Sequence, residues 1–179
     1  MNGDDDKARF ARVVMPHLAD AFALARWIAG NRSDAEDIVQ EACLRAFRAI
    51  AQFAGGNPRA WTLTIVRNTA HTWMSKMRSL PVVPIDDLEA LDDAQAPQAA
   101  NLDQASTPET DLIAKVDAEQ LQAAIAALPV AFRETLVLRD VQGLDYREIA
   151  EVTSVPIGTV MSRLARARRR LIKTIGAER

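Results

Sequence analysis

One stretch near the middle of the chain, residues 80–107, constrains the fold more than any other feature. It carries Pro81, Pro84 and Pro97 among many Ala, Gln and Asp, with low hydrophobicity and little periodicity. Residues 79–114 include eight acidic residues and neither Lys nor Arg. A segment of this composition buries too little apolar surface to offset the conformational entropy that is lost on folding. It therefore predicts a flexible acidic linker between two separately folded parts.

The parts on either side of this linker, residues 1–79 and 108–179, both carry helical periodicity. The chain is 49% hydrophobic but only 5% aromatic. Together with many Ala, this composition favours helix packing over the β-branched and aromatic strands of a sandwich or barrel. We therefore predict an all-α fold of two small helical domains.

Several classes of site are disfavoured by what the sequence lacks. Cys43 is the single cysteine, and its place on an apolar helical stripe indicates a small buried hydrophobe. Because only His17 and His71 accompany it, no metal site or cofactor is predicted. No segment approaches the ~18 apolar residues of a membrane span, and the N-terminus lacks a signal-peptide pattern. We expect a cytoplasmic protein without membrane insertion.

Capping residues and helix stop signals predict where the helices of the first part begin and end. A second helix is predicted to end at Gly30-Asn31, where the chain has a typical stop signal. Ser33 and Glu36 have the spacing of a capping box, so a third helix should follow directly. Asn57 is predicted to cap a fourth helix that has Pro58 in its first position.

The second part ends in a pattern typical of a helix-turn-helix. After a predicted helix from Val130 to about Val141, Asp145 and Glu148 are spaced to cap a short helix over 146–153. A four-residue break then leads into a basic helix from about 158 to 175. Such a helix can enter the major groove of DNA. The C-terminal domain is therefore predicted to be a helix-turn-helix bundle.

The last helix has an inward face formed by Val160 and Leu164. Near its N-terminal end the outward-facing residues are predicted to be Thr159, Ser162, Arg163 and Arg166. Seven basic residues stand against one acidic residue over 157–179, so phosphate contacts are expected further along. The alternative is a solvated amphipathic helix with an Arg-rich face, which the preceding helix and turn disfavour.

Three blocks of sequence resemble the bacterial sigma factors of the extracytoplasmic-function (ECF) group. The blocks are Asp34–Ala42, Arg59–Trp61 with Val66–Asn68, and Gly158–Arg168. They occur in the family's order, and the resemblance covers nearly everything outside the predicted linker. It implies a non-catalytic subunit that directs core RNA polymerase to specific promoters during a stress response and assists DNA opening. Residues 1–79 would be its region 2 and residues 108–179 its region 4.

The resemblance implies that the third helix docks on a basic coiled-coil helix pair of core RNA polymerase. The implied docking residues are Asp34, Asp37, Gln40, Glu41 and Arg45. Acidic side chains on adjacent helical positions can pair with Arg side chains of a partner. From composition alone, the same acids would be interpreted as charges that complement the helix dipole.

The resemblance also implies a pocket that captures an unstacked base of the minus-ten promoter element. The implied residues are Phe53, Gly56, Asn57, Arg67, Asn68 and His71. Amide and backbone groups can bond to base edges that pairing would hide. Residues 59–78 contain four basic residues and no acidic one, so this helix can lie along phosphates. Trp61 and Trp73 are predicted to pack in the core instead of stacking on bases.

For the minus-thirty-five element, the implied contacts come from the last helix. They are Thr159, Ser162, Arg163, Arg166 and Arg170. The chain departs from the family pattern at Met161, where many relatives carry Lys or Arg, and at Ser154, where the turn often has Gly. Ser154 predicts a turn that either avoids a positive φ or tolerates one at some cost.

The partners that the resemblance implies are core RNA polymerase, promoter DNA and an anti-sigma factor. The linker could thread toward the polymerase cleft as a mimic of nucleic acid, or serve as a solvated spacer. Two other functions remain open: a sigma-like decoy that titrates an anti-sigma factor, and a helix-turn-helix regulator. The acidic third helix and the base-capture block disfavour a regulator, and the retained Asn68, Arg163 and Arg166 disfavour a decoy. An enzyme is not predicted, because no catalytic motif is visible.

Overall fold

The computed structural model describes residues 3–78 and 110–177. Within these ranges the chain forms eight α-helices and no strand, so the all-α prediction is confirmed. The helices are α1 Gly3–Val13, α2 Leu18–Ala29, α3 Arg32–Ala49, α4 Pro58–Arg78, α5 Thr110–Ala126, α6 Val130–Leu136, α7 Tyr146–Thr153 and α8 Ile157–Ala177. The predicted linker, residues 80–107, lies outside the described residues.

Helix boundaries in the N-terminal half follow the local signals, with one exception. Gly30 ends α2 at a φ of 84°, as predicted. Asn57 caps α4, because its side-chain oxygen accepts from the Ala60 amide at 3.1 Å. The cap predicted at Ser33 is wrong: Asn31 accepts from the Asp34 amide at 2.8 Å. Asn31 has the extended backbone that an N-cap requires, whereas Ser33 already lies inside the first turn.

The C-terminal half contains the predicted helix-turn-helix, formed by α7 and α8. The capping box is confirmed, with the Glu148 amide bonded to Asp145 Oδ1 and the Asp145 amide bonded to Glu148 Oε2, both at 2.8 Å. The helix predicted from Val130 to about Val141 is interrupted. Its α-helical part ends at Leu136, and residues Val137–Val141 form a π-helical turn.

The turn between α7 and α8 passes through Ser154 in a left-handed conformation, with φ 56° and ψ 40°. Of the alternatives that the sequence left open, the turn therefore tolerates a positive φ. Ser154 is exposed. A side chain in this conformation places its Cβ close to the neighbouring carbonyl, at a cost of roughly 1–2 kcal/mol.

We expect Ser154→Gly to stabilise the protein by about 1 kcal/mol, because glycine adopts a positive φ without this steric cost. The measurement is the free energy of unfolding from urea titration followed by circular dichroism. Ser154→Ala is the matched control, since it removes the hydroxyl but keeps the Cβ. Equal stability of the Gly and Ala variants would show that the turn carries no strain.

The two halves pack directly on each other. One hydrophobic cluster contains fully buried residues of both halves, among them Leu24, Ile28 and Leu63 from the first and Leu138 and Ile149 from the second. Helix α4 lies against α7, and α2 lies against α6. The chain therefore buries the inner faces of both bundles in a shared core.

The two tryptophans of α4 pack as predicted. Trp73 is partly buried against the shared core. Trp61 packs in a smaller cluster with Val13, Val14 and Ile50.

Candidate nucleic-acid interface

Helix α3 separates its charged residues from its core face. Ala35, Ile38, Ala42 and Ala46 are buried. Of the predicted docking residues, Asp37 and Gln40 are exposed, and Asp34, Glu41 and Arg45 are partly exposed.

Two local bonds order the docking residues. Arg45 Nε donates to Glu41 Oε1 at 2.7 Å, and this bond lowers the pKa of the Glu41 carboxyl. Asn31 Nδ2 donates to Asp34 Oδ2 at 2.7 Å. The face is thus mainly negative and accessible, with Asp37 at its centre.

Phe53, one of the predicted base-capture residues, is buried in this structure. This side chain is only 8% exposed, and its ring centroid lies 5.2 Å from that of Trp61. Arg9 also donates a hydrogen bond to the Phe53 carbonyl, which ties α1 to this segment. In this structure the Phe53 ring is buried in the small cluster around Ile50, and its role in capturing a base stays a prediction.

The loop after Phe53 contains two exposed glycines with a left-handed backbone. Gly55 and Gly56 are exposed and have φ values of 105° and 94°. No atom lies within 4 Å of a Cβ built on either glycine, so a side chain would not clash with its surroundings. Glycine is favoured here because a residue with a side chain would be strained at a positive φ.

Two predicted strand-binding residues of α4, Arg67 and His71, contact one carboxylate of the other half, and a third, Asn68, is bonded to Arg67. Arg67 donates from Nε to Glu134 Oε2 at 3.0 Å and from Nη2 to Oε1 at 2.9 Å. His71 Nε2 lies 2.7 Å from Glu134 Oε2. Arg67 Nη1 donates to Asn68 Oδ1 at 3.3 Å. The guanidinium of Arg67 is thus engaged on all of its nitrogens.

Glu134 is fully buried, at 0% exposure, so its charge depends on these partners. Burial raises the pKa of its carboxyl, but the hydrogen bonds and charges of His71 and Arg67 outweigh that effect and hold the pKa below its ordinary value. The carboxylate is therefore ionised at neutral pH. A bidentate Arg–carboxylate pair of this kind is among the stronger hydrogen-bond arrangements in proteins.

Two more residues at the start of α4 reach toward the C-terminal half. Asn57 Nδ2 donates to Glu148 Oε1 at 2.6 Å. Arg59 donates to Asp20 Oδ2 at 2.7 Å and to the Gln142 carbonyl at 2.8 Å. Helix α4, predicted to lie along phosphates, thus has its first basic residues directed at protein acceptors in this structure.

Helix α8 exposes only some of the residues that are predicted to contact DNA. Ser162 and Arg166 are exposed, and Thr159 is partly exposed. The exposed position predicted for Arg163 is wrong, because its side chain is 4% exposed. Val160, Arg163, Leu164 and Ala167 form one buried stripe with helical spacing, which places Arg163 on the inner face. Arg170 lies over the Phe132 ring, 5.4 Å from its centroid.

The sequence does not indicate Glu134 and Glu148 as acidic partners of α4. The spacing of Glu148 predicts only a capping residue. Glu134 lies in the buried run 131–138, where a charged residue is unusual, but nothing local indicates a partner on α4.

Among the described side chains, no group of three or more His, Cys, Asp or Glu could hold a metal ion. Cys43 is partly buried on α3, and burial raises the pKa of its thiol. Within residues 3–78 and 110–177, no helix is long and apolar enough to span a membrane.

Comparison with known protein families gives two matches along the chain. Residues 13–79 match the model of sigma-70 region 2, and residues 118–171 match the model of sigma-70, region 4. The chain is 32% identical to the ECF RNA polymerase sigma-E factor of Escherichia coli K12 over 165 residues, which cover 92% of this chain and 84% of that protein. It is 32% identical over 146 residues to the protein of the same name from Haemophilus influenzae, covering 81% and 75% of the two chains.

Solved structures show a related architecture. The chain is similar to the sigma factor RpoE from Bartonella quintana, in its complex with the anti-sigma factor NepR, with a TM-score of 0.71 and 26% identity, over 95% of this chain and 98% of that one. It also shares its fold with CnrH, solved in complex with the cytosolic domain of CnrY, at a TM-score of 0.62, 20% identity and coverage of 95% and 89%.

Proposed function

The chain belongs to the extracytoplasmic-function sigma factors, and on this premise we propose that it directs core RNA polymerase to specific promoters and assists the opening of the DNA. The observation that carries the proposal is the presence, in one chain, of an exposed acidic face on α3 and a helix-turn-helix with Ser162 and Arg166 exposed. The first surface suits a basic protein partner. The second suits the major groove. A subunit that bridges an enzyme and its template needs both.

We propose that residues 1–79 act as region 2 and residues 108–179 as region 4. Region 2 would dock on polymerase through α3 and hold the minus-ten strand through Asn57, Arg67, Asn68 and His71. Region 4 would read the minus-thirty-five element through Thr159, Ser162 and Arg166. For Arg163, which is buried, a DNA contact would require α8 to release the side chain from its inner face.

An anti-sigma factor is the third expected partner. The Bartonella quintana relative was solved in complex with one, and that relative spans nearly the same length of chain. We infer that a comparable inhibitor controls this chain in the cytoplasm. No covalent chemistry is assigned to the chain, because its proposed work consists of binding and positioning.

The proposal is tested by in vitro transcription with core polymerase on a library of promoters. The chain should select a defined subset of promoters, and core polymerase alone should not. A decoy would bind an anti-sigma factor but support no initiation. A conventional regulator would bind duplex DNA without core polymerase and would not associate with it.

Arg166→Ala should keep core association but lose discrimination at the upstream promoter element. Arg166 is exposed near the N-terminal end of α8, and loss of a base-edge contact costs roughly 1–3 kcal/mol of discrimination, which is about 5- to 150-fold. The measurement is the ratio of initiation rates on consensus and mutated upstream elements. Arg169→Ala is the control, since this exposed residue is suited to phosphate contact and its loss should weaken all promoters similarly. An unchanged ratio for Arg166→Ala would exclude it from base reading.

A further inference from the structure

The C-terminal half covers residues of α4 that the proposed function assigns to the promoter strand. The cover consists of two carboxylates, those of Glu134 and Glu148. Glu134 accepts from Arg67 and approaches His71, and Glu148 accepts from Asn57. In each pair, a carboxylate from the second half engages a hydrogen-bond donor that single-stranded DNA would also use.

The contact at Arg67 has the chemistry of phosphate recognition. A guanidinium binds a carboxylate and a phosphate in the same way, through two parallel N–H donors. In this structure both donors of that fork point at Glu134, and the third nitrogen donates to Asn68. Arg67 is only 14% exposed in this arrangement. A phosphate can bind there only if Glu134 leaves.

Further bonds hold the two halves together around this carboxylate. Gln142 Nε2 donates to the Asp20 carbonyl at 2.8 Å. Arg133 Nη1 donates to the Trp27 carbonyl at 2.9 Å. The apolar cluster shared by both halves surrounds the same interface. The covering of α4 is therefore a packed arrangement and not a single side-chain contact.

A buried ion pair is well suited to a contact that must also open. An ion pair in the interior contributes little net stability relative to an apolar contact, because both charges lose their hydration. On opening, the Glu134 carboxylate regains water, and Arg67 becomes accessible to a phosphate. An apolar residue at position 134 would lack this hydration gain and would hold the halves more permanently.

We propose that Glu134 closes the chain over its own strand-binding residues, so that Glu134 and single-stranded DNA compete for Arg67 and His71. The inference rests on the proposed function of these two residues. It adds that the isolated chain is self-blocked, and that the two halves must separate before the minus-ten strand can bind. The relevant event is the exchange of an internal carboxylate for a DNA phosphate.

The test is the affinity of the full-length Glu134→Gln variant for a fluorescein-labelled, mixed-sequence single-stranded 12-mer, measured by anisotropy at low salt. Glutamine keeps the shape of the side chain but removes the charge that holds Arg67. If closure leaves about a tenth or less of the chains binding-competent, the variant should bind at least about tenfold more tightly than wild type. Its radius of gyration, from small-angle X-ray scattering, should increase.

Two control variants test whether a gain in DNA affinity comes from opening of the chain or only from the change in net charge, and a third variant is used if Glu134→Gln does not fold. Glu119→Gln makes the same charge change at an exposed site on α5 and should bind like wild type. Combining Glu134→Gln with Arg67→Ala should reduce the gain, because Arg67 supplies the guanidinium that Glu134 covers. If Glu134→Gln fails to fold, Glu134→Asp keeps the charge but shortens the reach, and it should give a smaller gain in the same direction.

Wild-type affinity and an unchanged radius of gyration for folded Glu134→Gln, or for folded Glu134→Asp in its place, would overturn the proposal. So would a gain that the loss of Arg67 leaves undiminished. Failure of the proposed function looks different: the wild-type holoenzyme would then fail to initiate at any promoter. An active holoenzyme combined with no effect at position 134 would reject self-blocking alone.

Discussion

Asp37→Arg is expected to abolish association with core RNA polymerase while leaving the fold intact. Asp37 is exposed in the N-terminal half of α3, and its proposed partner is a basic helix pair. Reversal of the charge replaces an attraction with a repulsion, and like charges in an interface cost several kcal/mol. Since each 1.4 kcal/mol is a factor of ten, binding should weaken by about a hundredfold or more.

Glu36→Arg is the matched control for this experiment. Glu36 is the preceding residue, is also exposed, and lies outside the proposed docking set. Its pair with Arg32, at 2.8 Å on the surface, contributes little to stability. Fluorescence titration of labelled chain with core polymerase gives both affinities. If the two substitutions weakened binding to core polymerase equally, Asp37 would have no specific role, and the polymerase would respond only to the overall negative charge of α3.

Ile38→Ala, one position beyond Asp37, should have the opposite pattern of effects. Ile38 is 0% exposed and lies in the core that α3 shares with its neighbours. Truncation of a buried Ile to Ala costs about 2–5 kcal/mol through lost burial and the remaining cavity. This is a large share of the total stability of a small protein.

The measurement for Ile38→Ala is the urea midpoint and slope, followed by circular dichroism. Gln40→Ala serves as its control, because Gln40 is exposed and its truncation should change the free energy of unfolding by no more than about 0.5 kcal/mol. Under conditions where Ile38→Ala remains folded, its affinity for core polymerase should approach that of wild type. A loss of binding without a loss of stability would place Ile38 in the interface.

The neighbouring positions 37 and 38 show how one helix can supply both a core residue and an exposed residue for a proposed partner. Helical geometry directs adjacent residues about 100° apart, so one can face a partner while the next enters the core. This division was visible in the sequence, because apolar residues recur at helical spacing along α3 while the acids fall between them. The proposed docking residues are therefore a well-defined target for mutation.

In helix α8 the predicted faces are right for Val160 and Leu164 and wrong for Arg163. Periodicity correctly predicts Val160 and Leu164 on the inner face, but Arg163 is predicted on the outward face. The structure buries it beside Leu164, at 4% exposure. Its position follows from helical spacing, because it shares one buried stripe with Val160, Leu164 and Ala167, and charge alone does not decide which face of a helix a residue occupies.

The sequence alone determined the helical class and most helix ends, because caps, glycine stops and apolar spacing act over a few residues. It also indicated the family, because three family motifs occur in order along the chain. The tertiary structure decided which polar groups meet. Arg67 and Glu134 are 67 positions apart, and Asn57 and Glu148 are 91 positions apart. Such pairs form only when separate helices are packed together, because a carboxylate selects its partner by distance in space. The covering of α4 by the second half is therefore a property of the packed chain, which no local pattern could have indicated.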